Sequence, residues 1–90
     1  MSEASNTLTN MLTHADIRLL EFEDTHPRRT GLKNDAILHR LGMSPTRYYQ
    51  RLDQLARQQV VQDRYPRLAD RIGRRADQRQ REREQLRRWA

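Results

Sequence analysis

One helix ends and the next begins within the nine residues GMSPTRYYQ at positions 42–50. Gly42 suits the left-handed conformation that closes a helix, because it has no Cβ. Ser44 predicts an N-cap, and Pro45 predicts the first residue of the following helix, where a missing N–H costs nothing. The stretch therefore predicts two helices joined by a turn of three residues.

Apolar residues recur at helical spacing on both sides of this turn. Upstream, Ile37, Leu38 and Leu41 predict the buried face of a short helix over about residues 33–41. Downstream, a longer helix over residues 45–58 is predicted, with a buried stripe of Tyr48, Leu52, Leu55 and Ala56. A short helix, a glycine-containing turn and a longer helix are typical of a helix-turn-helix motif, whose second helix enters the DNA major groove. The same pattern also fits a plain αα-hairpin in a small bundle.

The outward residues at the start of the second helix are the candidates for base contacts: Thr46, Arg47, Tyr49 and Gln50. They are polar and long enough to reach base edges, and Arg pairs best with guanine and Gln with adenine. Tyr49 has a second placement, packed against the C-terminal segment. The free amides at Ser44 are suited to holding a phosphate. In a plain hairpin, Arg47 and Gln50 would simply be solvated.

A first helix is predicted from Thr13 to about Asp24. Thr13 and Asp16 have the spacing of a capping box. The apolar stripe, Ile17, Leu19, Leu20 and Phe22, faces the core, and the charged residues Arg18, Glu21, Glu23 and Asp24 are expected to be exposed. Residues 1–12 read as a flexible arm, and residues 25–31 as a loop.

The net charge of +6 is concentrated at the C-terminal end. Residues 64–90 hold ten arginines and four acidic residues, whereas residues 1–63 are neutral overall. This division predicts a helix-turn-helix domain over residues 13–63 and a basic C-terminal helix or tail over residues 64–90. The basic segment next to a candidate recognition helix predicts phosphate contacts. The candidates are Ser44, Arg51, Arg57, Arg64, Arg67, Arg71, Arg74 and Arg75.

The last helix is expected to run from Pro66 to about Trp89. Its apolar stripe, made by Leu68, Ile72 and Ala76, fails at Arg79 and Arg83. Acidic and basic residues four apart support it, as at Asp70 and Arg74. Val60 and Val61 are left unassigned, because two residues carry no periodicity.

Several classes of protein are excluded. The chain has no cysteine, and its longest apolar run, residues 36–38, is too short for a membrane span or a signal peptide. We therefore expect a cytoplasmic protein. The histidines 14, 26 and 39 have no metal-ligand spacing, and no glycine-rich phosphate loop is present. No enzymatic activity, metal or cofactor is expected.

The stretch GMSPTRYYQ also resembles the signature GMSxTRYYQ of a family of small actinobacterial and phage proteins, described as a domain of unknown function with a helix-turn-helix. The resemblance spans about residues 17–75 and departs from the family at Thr25-His26-Pro27-Arg28, where bulky aromatics are usual. Further matches keep register, namely Phe22-Glu23, Lys33, Ala36, Ile37, Leu52, Leu55, Pro66, Leu68, Arg71, Ile72 and Arg74. The resemblance implies DNA binding and transcriptional regulation.

Together these features predict an all-α protein, a three-helix helix-turn-helix domain followed by a basic C-terminal helix, that binds double-stranded DNA. Helix 45–58 would read the major groove and the tail would contact phosphates. A homodimer on a two-fold related site is expected, with the stripe Leu68, Ile72 and Ala76 as one option for its face. Two alternatives stay open: an adaptor that binds a protein of the transcription machinery, and an RNA-binding protein that uses the Arg-rich tail.

Overall fold

The computed structural model describes residues 12–89, and all regular secondary structure in this part of the chain is helical. The prediction of an all-α fold is confirmed. The helices are α1 (His14–Thr25), α2 (Gly31–Ala36), α3 (Pro45–Ala56), α4 (Gln59–Arg64) and α5 (Pro66–Trp89). Helix α2 continues directly as a π-helical turn (Ile37–Leu41). Apart from Leu12, the predicted N-terminal arm lies outside the described residues.

The predicted signals at the helix ends are confirmed. The Thr13 hydroxyl accepts a hydrogen bond from the Asp16 amide, at 3.0 Å, and the Asp16 carboxylate accepts one from the Thr13 amide. Gly42 has a φ of +65°, and the Ser44 hydroxyl accepts from the Arg47 amide at 3.3 Å. Helix α3 ends at Ala56, two residues earlier than predicted, and the unassigned valines lie in α4.

Helix α3 is the centre of the molecule, because it packs against α1, α4 and α5. Its predicted stripe of Tyr48, Leu52, Leu55 and Ala56 is buried. The other helices complete the core with Leu19, Leu20, Phe22, Ile37, Val61, Leu68, Ala69 and Ile72. The core therefore includes the first turns of the basic C-terminal helix.

The predicted burial of Leu38 is wrong, since this side chain is 55% exposed. The inward stripe of this segment runs through Lys33, Ile37 and Leu41, each four residues from the next. Lys33 is drawn inward by a carboxylate on α1. This turns the face that carries Leu38 toward solvent.

Helix α5 has an inner half that packs and an outer half that projects. Leu68 and Ile72, which the sequence offered as part of a dimer face, are covered by the rest of the same chain. Residues 77–89 are exposed except for the half-buried Arg79, and they extend for about 20 Å. No helix within residues 12–89 combines the length and the apolar character needed to cross a membrane.

Two glycines provide opposite tests of this backbone. Gly42→Ala is expected to destabilise the protein by about 1 kcal/mol, because a Cβ is unfavourable in the left-handed region. Gly73→Ala is expected to stabilise it by about 1 kcal/mol, because Gly73 lies inside α5. Neither new Cβ would meet an atom within 4 Å, so backbone preference alone sets both signs. Urea denaturation followed by circular dichroism measures both changes in the free energy of unfolding. Changes of the same sign would contradict either the left-handed conformation of Gly42 or the helical position of Gly73.

Candidate nucleic-acid interface

A buried charge cluster fixes α3 relative to α1 and α2. Glu23 is 1% exposed, and its Oε1 accepts hydrogen bonds from Lys33 Nζ at 2.8 Å and from Tyr48 Oη at 2.7 Å. The prediction that Glu23 is exposed is therefore wrong, because two donors from other helices hold it inside. Burial lowers the pKa of the Lys33 ammonium, although the hydrogen bond to Glu23 opposes this, and burial raises the pKa of the Tyr48 hydroxyl.

Three of the arginines predicted to contact phosphate form intramolecular contacts with acidic residues of α1. Arg71 Nη2 donates to the backbone oxygen of Glu23 at 3.1 Å, and Arg75 Nη1 lies 3.6 Å from Glu23 Oε2. Arg51 donates from Nε and Nη2 to the two carboxylate oxygens of Asp16, both at 3.0 Å. These guanidinium groups tie α1 to α3 and α5.

The outward side of the first turns of α3 is polar and open to solvent. Thr46, Arg47 and Gln50 are exposed there, whereas Tyr48 points into the core. Ser44 and Pro45 begin the helix, so helical periodicity alone places these three side chains on its free side. The chain thus presents a hydroxyl, a guanidinium and an amide on one exposed helix face.

Tyr49 lies apart from this exposed group. The Arg29 guanidinium covers its ring at 3.8 Å from the centroid, and the rings of Tyr49 and Tyr48 pack edge to face with their centroids 4.9 Å apart. Its hydroxyl is buried with no hydrogen-bond partner among the described residues, and burial raises its pKa. The side chain borders a small cavity with Ile72 and Arg75 of α5. This is the predicted alternative placement, against the C-terminal segment.

A groove of about 450 Å³ runs between α3 and the outer half of α5. Thr46 and Gln50 form part of one wall. From the described part of the chain, four arginines and a single carboxylate, Asp53, also line it, which leaves a formal excess of three positive charges. The arginines are Arg29, Arg57, Arg79 and Arg83. The groove therefore suits a polyanion that reaches the exposed face of α3 at the same time.

One groove arginine is held by the groove's carboxylate. Arg79 Nη2 donates to both oxygens of Asp53, at 3.2 and 3.1 Å. The other three arginines form no ion pair with any carboxylate in the part of the chain that the structure describes. Their charge is available to a ligand.

The sequence interpretation missed Arg29, Arg79 and Arg83 as parts of this site. A signal for two of them was present, because Arg79 and Arg83 continue the spacing of Leu68, Ile72 and Ala76 on one face of α5. Beyond the end of the core, the same face of α5 carries arginines, and these lie toward α3. The break in the apolar stripe marks the start of the groove.

The remaining predicted residues lie in different places. Arg57 lines the groove, and the Ser44 hydroxyl is used as the N-cap of α3. Arg64, Arg67 and Arg74 are exposed but do not line the groove, and Arg74 pairs with Asp70 at 2.6 Å. Within residues 12–89, no three His, Cys, Asp or Glu side chains cluster closely enough to hold a metal ion.

Comparison with known proteins gives one match. The model of a family described as "Protein of unknown function (DUF3263)" matches residues 11–84. No curated protein and no solved structure matches the chain. The matched range contains every residue of the groove and the exposed face of α3.

Proposed function

The chain belongs to the DUF3263 family, whose function is unknown, and we propose from its geometry that it is a sequence-specific double-stranded DNA-binding protein. In this proposal, residues 31–56 act as a helix-turn-helix motif with α3 in the major groove. We also propose that residues 42–50 carry a signature of the family. One observation carries the proposal: the exposed polar face of α3 borders a groove with an excess of three positive charges.

Base readout is assigned to the exposed residues of α3. Arg47 is suited to the O6 and N7 atoms of guanine, Gln50 to adenine, and Thr46 to either a polar edge or a thymine methyl group. Tyr49 receives no base contact, because its ring is covered by Arg29 and its hydroxyl is buried. Its side chain instead helps to form the wall of the groove where α3 meets α5.

Phosphate contacts are assigned to the groove. Its arginines lie next to the base-contacting face, so a strand in the groove would be held while α3 reads the adjacent bases. Binding of this kind requires no catalytic step. A regulator that acts by occupying its DNA site is therefore the role that we propose.

Selection from a random duplex library, at two salt concentrations, tests this function. The wild-type protein is expected to enrich a defined motif. Arg47→Ala should relax the preference at one or two base pairs, by about 1–3 kcal/mol of discrimination. The matched control is Arg67→Ala, which removes an exposed arginine that does not line the groove. It should leave the motif unchanged.

Three results would contradict the proposal. An enriched motif that Arg47→Ala does not alter would remove base reading from α3. Tighter binding to structured RNA than to duplex DNA would favour the RNA-binding alternative. Absence of binding to either nucleic acid would favour an adaptor that binds an acidic protein surface.

A further inference from the structure

We infer that Asp53 is a positioning residue for Arg79, and that the pair forms a phosphate clamp in the groove between α3 and α5. The inference rests on the proposed DNA binding and adds a specific contact to it. Asp53 would orient the Arg79 guanidinium, whose remaining N–H groups would donate to a phosphate oxygen of the bound strand.

The hydrogen-bond pattern of Arg79 supports this arrangement. Only its Nη2 atom is used, since that atom donates to both oxygens of Asp53. Arginine has five N–H donors, and the Nε and Nη1 atoms of Arg79 have no partner among the described residues. Both side chains of the pair are 30% exposed, so the pair is accessible from the groove.

The position of the pair links the clamp to base reading. Asp53 lies one turn after Gln50 on α3, and Arg57 lies one turn further on. Arg79 therefore reaches the wall of the groove between Gln50, a proposed base contact, and Arg57, another groove arginine. A phosphate bound there would belong to the strand beside the bases that α3 reads.

The presence of a carboxylate in this groove requires an explanation, because its negative charge by itself repels DNA. Among residues 12–89, Asp53 is the only carboxylate that lines the groove. If it only repelled phosphates, its removal would strengthen binding. If it positions Arg79, its removal frees a flexible side chain and weakens binding, although the protein becomes more positive. The two roles therefore predict opposite signs.

A double-mutant cycle on the selected duplex measures these signs. Arg79→Ala is expected to weaken binding about tenfold, the effect of one lost charge-assisted hydrogen bond. When it is the only substitution, Asp53→Asn should weaken binding about three- to tenfold. In the Arg79→Ala background the same substitution should strengthen binding, because only the repulsion remains to be removed.

Arg79→Lys gives a second measurement that leaves Asp53 in place. Lysine keeps the charge but has a single nitrogen, which cannot span the carboxylate and a phosphate in a fixed orientation. Its affinity should fall close to that of Arg79→Ala. Circular dichroism of every variant verifies that the helices are retained.

The matched control is the Asp70–Arg74 pair, which lies on α5 outside the groove. Asp70→Asn should change affinity in the same direction with or without Arg74. A sign reversal at this pair would overturn the clamp, because the reversal would not be specific to the groove.

Other results overturn the clamp as well. These are stronger or unchanged binding when Asp53→Asn is made in the wild-type protein, or wild-type affinity in Arg79→Lys. If the clamp fails while Arg47→Ala still relaxes the motif, the proposed function stands and only this inference falls. If the wild-type protein binds no duplex, both fall together.

Discussion

Glu23→Leu is expected to remove most of the free energy of unfolding of the protein at 25 °C. The substitution leaves the Lys33 ammonium, which is 3% exposed, without its carboxylate partner, and it removes the acceptor of the Tyr48 hydroxyl. Removing one partner of a buried ion pair costs about 3–5 kcal/mol. A domain of this size has a total stability of about 5 kcal/mol, so the loss consumes nearly all of it.

Urea denaturation followed by far-ultraviolet circular dichroism measures this effect, with Glu21→Leu as the matched control. Glu21 lies on the same helix and is exposed, so its replacement should change the free energy of unfolding by less than about 0.5 kcal/mol. Glu23→Leu with a wild-type midpoint would contradict the role of the cluster. That result would mean that Lys33 reaches solvent without disturbing the fold.

A double variant separates the destabilisation caused by the unpaired Lys33 charge from that caused by losing the ion pair itself. Combining Glu23→Leu with Lys33→Met replaces both charges with apolar side chains of similar length. Buried pairs replaced in this way often lose little stability, because the desolvation cost of both charges disappears as well. The double variant should therefore be more stable than Glu23→Leu alone. Equal instability would assign the loss to the other partners of the Glu23 carboxylate, the Tyr48 hydroxyl and the Arg75 guanidinium, instead.

The signals that predicted the helix boundaries were local. The helix caps and turns depend on residues within three or four positions, as at Thr13 with Asp16 or at Gly42 before Ser44. Such contacts need no residue from another helix. For this reason the starts of α1, α3 and α5 agree closely with their predicted positions.

The buried cluster could not be predicted, because its members are far apart in sequence. Glu23 meets Lys33 across 10 positions and Tyr48 across 25. The charge of Glu23 favours an exposed position, whereas its spacing of three and four residues from Leu20 and Leu19 puts it on the buried face of α1. Only the packing of three helices brings the donors to it, and the same packing leaves Leu38 exposed.

The candidate site shows the same division between local and long-range features. Helical periodicity was enough to place Thr46, Arg47 and Gln50 on the outer face of α3. The groove depends on where α5 lies against α3, so the sequence predicts phosphate contacts in the basic segment without separating the arginines that face α3 from those that do not. Packing divides its arginines into those that contact Glu23, those that face the groove and those that face only solvent.

That division predicts unequal effects from equal changes of charge. The double variant Arg57→Gln/Arg83→Gln is expected to bind the selected duplex about 100-fold more weakly, because two charge-assisted contacts to phosphate are lost. The slope of log K against log salt concentration should become shallower by about 1.8. The preferred motif should not change, because phosphate contacts carry no base information.

The charge-matched control is Arg64→Gln/Arg67→Gln, which lowers the net charge by the same amount at two exposed positions outside the groove. Fluorescence anisotropy with a labelled duplex, titrated over a range of salt concentrations, compares the two variants. The control should lose only the small, long-range part of the attraction. Equal losses in both variants would show that the basic segment acts as a uniform polycation. Wild-type affinity in Arg57→Gln/Arg83→Gln would show that the bound strand does not occupy the groove, since both arginines line it and neither pairs with a carboxylate of residues 12–89.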